Sequence, residues 1–442
     1  MLTLLSLIAC TKDAPVDTGS VPTIPDIPVD ACASHEWLAT DDLGERVLSY
    51  REDALSLSAQ TVNTLLESNG LTVIEAQYDV STYALRYTTQ DRGEKVEATA
   101  FVTFPDGVEP GAELPVILWL HPTMGFMDDC APTAVGLEGA AFPVLWASQG
   151  YIVVAPDYLG MRGFGEGSEE LHPYIIAEPT AVASLDALRS LDALVAQHEV
   201  NVVPDKDRLI HWGPSEGGFA ALWTDRYQEA YLPEYETVAV ISAIPPTDLE
   251  ALTARGVSKF GATTGGVAAA LTSMQQYYDG PPLDQVLQPD VAAALPGEMA
   301  DSCSDFPVAE SMESIEEIYT PEGIAAATSG DWTGLEAWQC YLNQGTIREA
   351  PFERGSTAPV FVVLAEDDDL AWAPPARDDV VALCEQGYVI EYMECAGAGH
   401  VDGAAKSLPQ QLDFLDRMVN GGEPLDPCVI HEPVECELEG ID

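Results

Sequence analysis

The run Leu209-Ile210-His211-Trp212-Gly213-Pro214-Ser215-Glu216-Gly217-Gly218 constrains this chain more than any other segment. An apolar stretch of strand character leads into G-x-S-x-G and then straight into the helical pattern Phe219 to Tyr227. A hydroxyl attacks an acyl carbon well only when it is exposed on a sharp turn, beside a base, with backbone N–H groups nearby. Glycines at 213, 217 and 218 clear space for so tight a strand-to-helix crossing. Ser215 is therefore the candidate nucleophile, and the motif sits in the context that gives it meaning.

This kind of turn sets a chain order of Ser, acid, His for the groups that serve it. Of seven histidines, only His400 and His431 follow Ser215 with room for an acid between. His400 lies in the small-residue loop Ala396 to His400, after the strand pattern Tyr388 to Glu394 and before an amphipathic helix around Leu408 to Val419. His431 lies in a Cys-flanked tail and is the poorer candidate. The acid should end the preceding strand. Pro359 to Ala365 is a continuous apolar run of parallel-strand character, and Asp367, Asp368 and Asp369 follow it. Any of the three could accept the imidazole N–H and stabilise the imidazolium as Ser215 loses its proton. Two backbone donors must also face the developing oxyanion. Glu216 N–H, directly after the nucleophile, is one. The other should come from the loop His121-Pro122-Thr123-Met124-Gly125, where Pro122 has no N–H and Thr123 is the candidate.

The rest of the chain reads as one large α/β domain. Thr72 to Asp79, Ala84 to Thr89 and Val96 to Phe104 alternate like antiparallel strands at a sheet edge. Pro115 to Leu120, Tyr151 to Ala155, Arg208 to Trp212, Thr237 to Ser242, Pro359 to Ala365 and Tyr388 to Glu394 read as strands separated by helices. The helix Ala181 to His198 lines Leu185, Leu188, Leu191 and Val195 along one stripe. Such alternation implies a mostly parallel central sheet covered by helices on both faces. The catalytic domain is expected over 35–244 and 355–420, and 245–354 is read as a largely helical cap insertion. Neither repeats nor heptads occur.

At this point the chain resembles a known family. His121-Pro122-Thr123 followed by Cys130-Ala131-Pro132 resembles the His-Gly-Thr loop and Cys-Ala-Pro of the secretory lipases and esterases of the α/β-hydrolase superfamily. Pro156-Asp157-Tyr158-Leu159-Gly160, His172-Pro173-Tyr174 and Leu185-Asp186-Ala187 are similar to that family as well, and together these motifs cover roughly residues 70 to 420. The resemblance implies a serine carboxylic-ester hydrolase with an α/β-hydrolase fold, needing no cofactor, its cap covering the site and choosing the acyl chain. It also implies a Gly-x-x-Asp at the acid. With Ala365 in the place of that Gly, Asp368 becomes the triad acid and Asp367 the second choice, while Asp157 and His172 brace loops. Pro122 stands where the family has Gly.

The amino terminus reads as an address. Residues 1–10 are apolar and end Leu7-Ile8-Ala9-Cys10, a bacterial lipobox that would leave Cys10 lipidated. Residues 11–34 carry Pro15, Pro22, Pro25 and Pro28 among Asp, Thr and Ser, a flexible tether. The expected location is the cell envelope or beyond, with contact to a membrane only through the lipid anchor. Apart from Cys10 there are eight cysteines, an even number that favours four disulfides in an oxidising compartment. Sequence proximity suggests Cys384 with Cys395, Cys428 with Cys436 and Cys303 with Cys340, leaving Cys32 with Cys130; 421–442 is a cysteine-bearing tail. No Cys or His spacing suggests a metal.

With 18 basic against 73 acidic residues, the net charge is −55. Such a surface repels nucleic acid and anionic lipid head groups, and it suits a saline habitat. The expected partner is a small-molecule or lipid ester. Two other readings fit parts of the pattern. A serine peptidase of prolyl-oligopeptidase type would need a propeller for which the first 80 or so residues leave no room. A non-catalytic surface-binding lipoprotein would not need Ser, Asp and His in order.

Overall fold

The computed structural model describes residues 24–438 apart from 30, 34, 45–48, 72, 169, 199, 304–305 and 307–311. The lipobox, including Cys10, lies outside the described residues. Nine strands among them form one sheet: β1 (Ser49–Leu57), β2 (Asp79–Asp91), β3 (Glu94–Asp106), β4 (Ala112–Trp119), β5 (Ile152–Pro156), β6 (Val202–Pro214), β7 (Thr237–Ala243), β8 (Val360–Ala365) and β9 (Ile390–Cys395). Their spatial order is β1-β2-β3-β5-β4-β6-β7-β8-β9. Pairing is antiparallel from β1 to β3 and between β3 and β5, and parallel from there to β9. The sheet is thus α/β in class and mostly parallel, as expected.

Alternation along the central strands explains their unbroken apolar sequences. Val116, Leu118 and Leu120 enter one core with the helices Ala177–His198 and Glu216–Tyr231, while Ile117 and Trp119 enter the other with Leu137–Ala147 and Leu408–Val419. A strand covered on both faces has no solvated side and needs no polar residue. The helix Ala177–His198 buries Leu185, Leu188 and Leu191 completely, and Val195 is partly buried against them.

At the antiparallel edge one expected strand is absent and an unexpected one takes its place. Residues 73–78 form no strand, although Ile74 and Ala76 are buried and Val73, Glu75 and Gln77 are exposed. The alternation is real but the backbone bonds elsewhere: Ala76 N–H donates to Asn63 Oδ1, and Gln77 and Tyr78 N–H donate to the Ser148 carbonyl. The edge is taken instead by β1, whose sequence Ser-Tyr-Arg-Glu-Asp-Ala-Leu-Ser-Leu has no apolar alternation in its first half. Charge and a register shift between Arg51 and Leu55 mark it as a protected edge.

Between β7 and β8 the chain forms a mainly helical layer that includes Leu249–Gly256, Ala262–Tyr277, Pro289–Asp301, Pro321–Ser329 and Glu336–Gln344. Part of the expected tether packs on the domain: Ile27 is buried, and its carbonyl accepts the Trp37 indole N–H at 2.7 Å.

Four disulfides form, but none of the pairs suggested by proximity does. The bonds are Cys32–Cys340, Cys130–Cys303, Cys384–Cys428 and Cys395–Cys436. Cys384 precedes β9 and Cys395 ends it, so the strand holds them apart at opposite ends. The tail then runs parallel to β9. Cys428 N–H donates to Ile390 O and Val434 N–H to Glu394 O, which brings Cys428 to the start of the strand and Cys436 to its end.

Candidate active site

The chain passes from β4 to β5 on one side of the sheet and then to β6 on the other. Open α/β sheets form their binding crevice where the strand order switches in this way, at the carboxyl ends of the strands. His121 to Thr123 follow β4, Ser215 follows β6, Asp368 follows β8 and His400 follows β9. Residues far apart in sequence therefore meet at one rim.

Ser215 sits at φ 58° and ψ −121° between β6 and the helix Glu216–Tyr231. Its N–H donates to Ala243 O at 2.8 Å, and its carbonyl accepts from Phe219 N–H at 3.0 Å. The glycines of the turn are required by contact. A Cβ on Gly217 would lie 2.0 Å from Leu120 O, and one on Gly213 would lie 2.4 Å from Gly217 O. The turn is thereby pressed against the end of β4, next to the loop His121 to Gly125. Within that loop Gly125 has φ +114°, and a Cβ there would meet Cys130 Sγ at 2.7 Å.

Ser215 Oγ is 2.8 Å from His400 Nε2. His400 Nδ1 lies 2.8 Å and 3.0 Å from the two carboxylate oxygens of Asp368. Asp368 Oδ1 also accepts the backbone N–H groups of Leu370 and Ala371, each at 2.8 Å. The Asp368 side chain is fully buried, so these donors fix its position and keep water from competing. Asp367 is exposed and its N–H donates to Ala398 O. Asp369 is exposed too, and its carbonyl accepts from Thr263. His431 is half exposed and faces Asp426 at 3.8 Å. Of the alternatives left open by sequence, the structure brings Asp368 and His400 together with Ser215, and brings neither Asp367 nor His431.

The two expected oxyanion donors are held by a buried network. The Glu216 carboxylate meets His172 Nε2 at 2.5 Å, and His172 Nδ1 donates to Leu159 O at 2.8 Å. The His172 ring stacks on Tyr158 with centroids 5.6 Å apart, and Tyr158 packs on His121 at 4.1 Å. Tyr158 O–H donates to His121 O at 3.1 Å. The Thr123 hydroxyl donates to Tyr174 Oη at 3.3 Å. Burial lowers the pKa of His121, and its Nδ1 lies 2.7 Å from Pro122 O as a donor, so the ring is neutral near pH 7. Sequence reasoning used Glu216 only for its N–H. The signal for its side chain was a carboxylate in an otherwise small and apolar helix start, which can be buried only with a proton-bearing partner. Asp157 is fully buried and accepts from Thr99 and Thr133.

Two apolar hollows meet at Ser215 and His400. One is a slot of about 50 Å³ among the helices between β7 and β8, walled by residues such as Leu252, Val267, Ala270 and Met274. The other is a cavity of about 480 Å³ on the opposite flank.

A sequence profile of the family described as secretory lipase matches residues 135–426. The chain belongs to this secretory lipase family. Lipase 5 of Candida albicans is 22% identical over 302 residues, which are 63% of this chain and 57% of that protein. The chain thus spans little more than half the length of this relative. Among solved structures, the rice cell wall degrading esterase LipA from Xanthomonas oryzae superposes with TM-score 0.67 at 21% identity, covering 85% of this chain and 97% of that one. Candida antarctica lipase A in its closed state superposes with TM-score 0.64 at 17% identity, covering 89% and 86%. At these identities the likeness is one of fold, and the fold is that of α/β-hydrolase lipases and esterases. The Pro156–Gly160 and His172–Tyr174 segments form the floor of the network behind the site.

Proposed function

We propose that this secretory lipase family member hydrolyses carboxylic esters through an acyl-enzyme on Ser215. The observation that carries the reading is the continuous hydrogen-bonded line from Ser215 Oγ through His400 to the buried Asp368 carboxylate. Ser215 Oγ attacks the ester carbonyl carbon as His400 Nε2 takes its proton. Asp368 holds the resulting imidazolium and fixes which nitrogen faces the serine. The carbonyl oxygen becomes an oxyanion, stabilised by the N–H groups of Glu216 and Thr123. The tetrahedral intermediate collapses with cleavage of the C–O bond to the alcohol, which leaves with the proton held by His400. Water then attacks the acyl-serine, giving a proton to His400, and the acid is released as the C–O bond to Ser215 breaks and His400 returns that proton to Oγ. The steps balance without a cofactor.

The reading extends to location. The chain is exported, with Cys10 lipidated and the domain held at the cell envelope of a bacterium. Four disulfides fit an oxidising compartment. No described helix is long and apolar enough to cross a membrane.

Turnover of p-nitrophenyl esters tests the reading. Ser215→Ala lowers kcat by roughly 10⁴-fold or more, and Asp368→Ala by roughly 10³- to 10⁴-fold. Asp367→Ala stays close to wild type. A folded wild-type protein that turns over no ester contradicts the reading, and an Asp367→Ala variant more damaged than Asp368→Ala contradicts the assignment of the acid.

A further inference from the structure

The larger hollow is built mainly outside the cap, which contributes Phe306 to it. Trp119, Phe142, Trp146 and Trp212 line it together with Val401 and Ala404 of the short helix that begins at His400. The rings form one stacked group: Trp146 on Trp212 with centroids 4.2 Å apart, and Phe142 on Trp119 at 4.6 Å. Three of the four are nearly or wholly buried, whereas Phe142 is 40% exposed and Val401 is 75% exposed. The hollow therefore has a firmly packed apolar base and an apolar rim at solvent. Exposed apolar side chains grouped at a concave site mark a place where an apolar ligand is received.

The two hollows differ in size by almost tenfold, about 480 Å³ against about 50 Å³. At roughly 10–15 Å³ per water-sized group, the slot holds about four such groups. The cavity falls in the range of about 300–1,000 Å³ typical of whole ligand pockets. An ester laid across Ser215 has one part on each side. The part that stays on the serine after the first step can sit in the narrow slot. The part that leaves has to reach solvent before water can attack, and the cavity with Phe142 and Val401 at its rim provides that route.

We propose that the cavity seats the leaving alcohol and that the protein selects esters joining a short linear acid to a bulky, flat, apolar alcohol, aryl or fused-ring. The inference rests on Ser215 being the nucleophile. Contact with the exposed Phe142 ring at the rim supplies the selectivity, since aromatic pairs add attraction beyond the area they bury.

The test is kcat/KM for 2-naphthyl butyrate and ethyl butyrate, and for p-nitrophenyl palmitate and butyrate, in wild type, Ala404→Trp and Val401→Trp. Thermal melting identifies the variants that fold; Val401 is on the surface, so its substitution tolerates the larger ring. The naphthyl-to-ethyl ratio should fall roughly 10- to 100-fold in a folded variant while the palmitate-to-butyrate ratio holds. An unmoved naphthyl-to-ethyl ratio overturns the proposal. A fall in the palmitate-to-butyrate ratio instead also overturns it, by placing the acid in the cavity. Calorimetry with 2-naphthol separates this proposal from the ester reading. Binding to wild type that weakens in Val401→Trp upholds the aryl site even if no ester turns over, and absence of binding overturns it.

Discussion

At Ser215 the backbone adopts a conformation that costs a residue with a side chain about 1–3 kcal/mol, and the surroundings hold it there. The bonds to Ala243 and Phe219, and the two glycines pressed on Leu120, leave the turn nowhere to relax. Strain of this kind keeps the hydroxyl at the rim instead of folding it back onto the helix. Behind the site, Asp157 shows the opposite economy, a charge that burial disfavours. Burial pushes its carboxyl from 3.8 up to about 6, against hydrogen bonds from Thr133 and Thr99. The folded state thus binds this proton more tightly than the unfolded state does. The stabilisation Asp157 contributes is complete below about pH 4 and is lost as pH rises through about 6. Asp157→Asn should therefore cost most near pH 4 and least at pH 8, the gap to wild type closing by on the order of 3 kcal/mol. Denaturant unfolding across that range measures it, and a gap that widens with rising pH would contradict the assignment.

Among elements, the parallel strands, the turn at Ser215 and the helix after it were legible because the central strands carry buried apolar runs such as Val116–Leu120, Ile152–Ala155 and Val360–Ala365. The antiparallel edge was less so. Residues 73–78 alternate as a strand does yet bond to Asn63 and Ser148, and sequence alternation reports burial rather than partners. For β1 the reverse holds, since an edge strand can pair through its backbone while its side chains stay polar. Disulfide connectivity was illegible for a related reason: the tail's parallel course along β9 is a tertiary fact that no spacing of cysteines encodes. From the residues alone the candidate acid was a choice of three aspartates, because one residue's shift along a loop decides which carboxylate turns inward, and only the family resemblance singled out Asp368. The tail's course has a consequence for stability. Cys436→Ser removes the bond that ties the tail to the carboxyl end of β9, one strand end away from His400. It should destabilise the protein by about 2–4 kcal/mol, read as a lower melting temperature under non-reducing conditions. Melting unchanged from wild type would show that the tail does not hold this edge.

Over the whole molecule, some of the few cations are used inward, Arg354 with buried Asp225 and Arg348 with Asp248 and Asp379, while others such as Lys206 and Lys406 pair with exposed carboxylates. A net charge of −55 makes the compact state repel itself. Raising salt from 0.1 M to 1 M shortens the screening length from about 10 Å to about 3 Å. The melting temperature should rise by several degrees over that range, and a flat or falling curve would count against repulsion as the dominant surface term. What the fold accomplishes with this body is to gather residues 123, 215, 216, 368 and 400 at one rim. The most direct test is covalent labelling with a fluorophosphonate, read by intact mass and peptide mapping. The account predicts a single adduct on Ser215, absent from Ser215→Ala and slowed strongly in His400→Ala. No adduct on a folded protein, or an adduct on another residue, would contradict it.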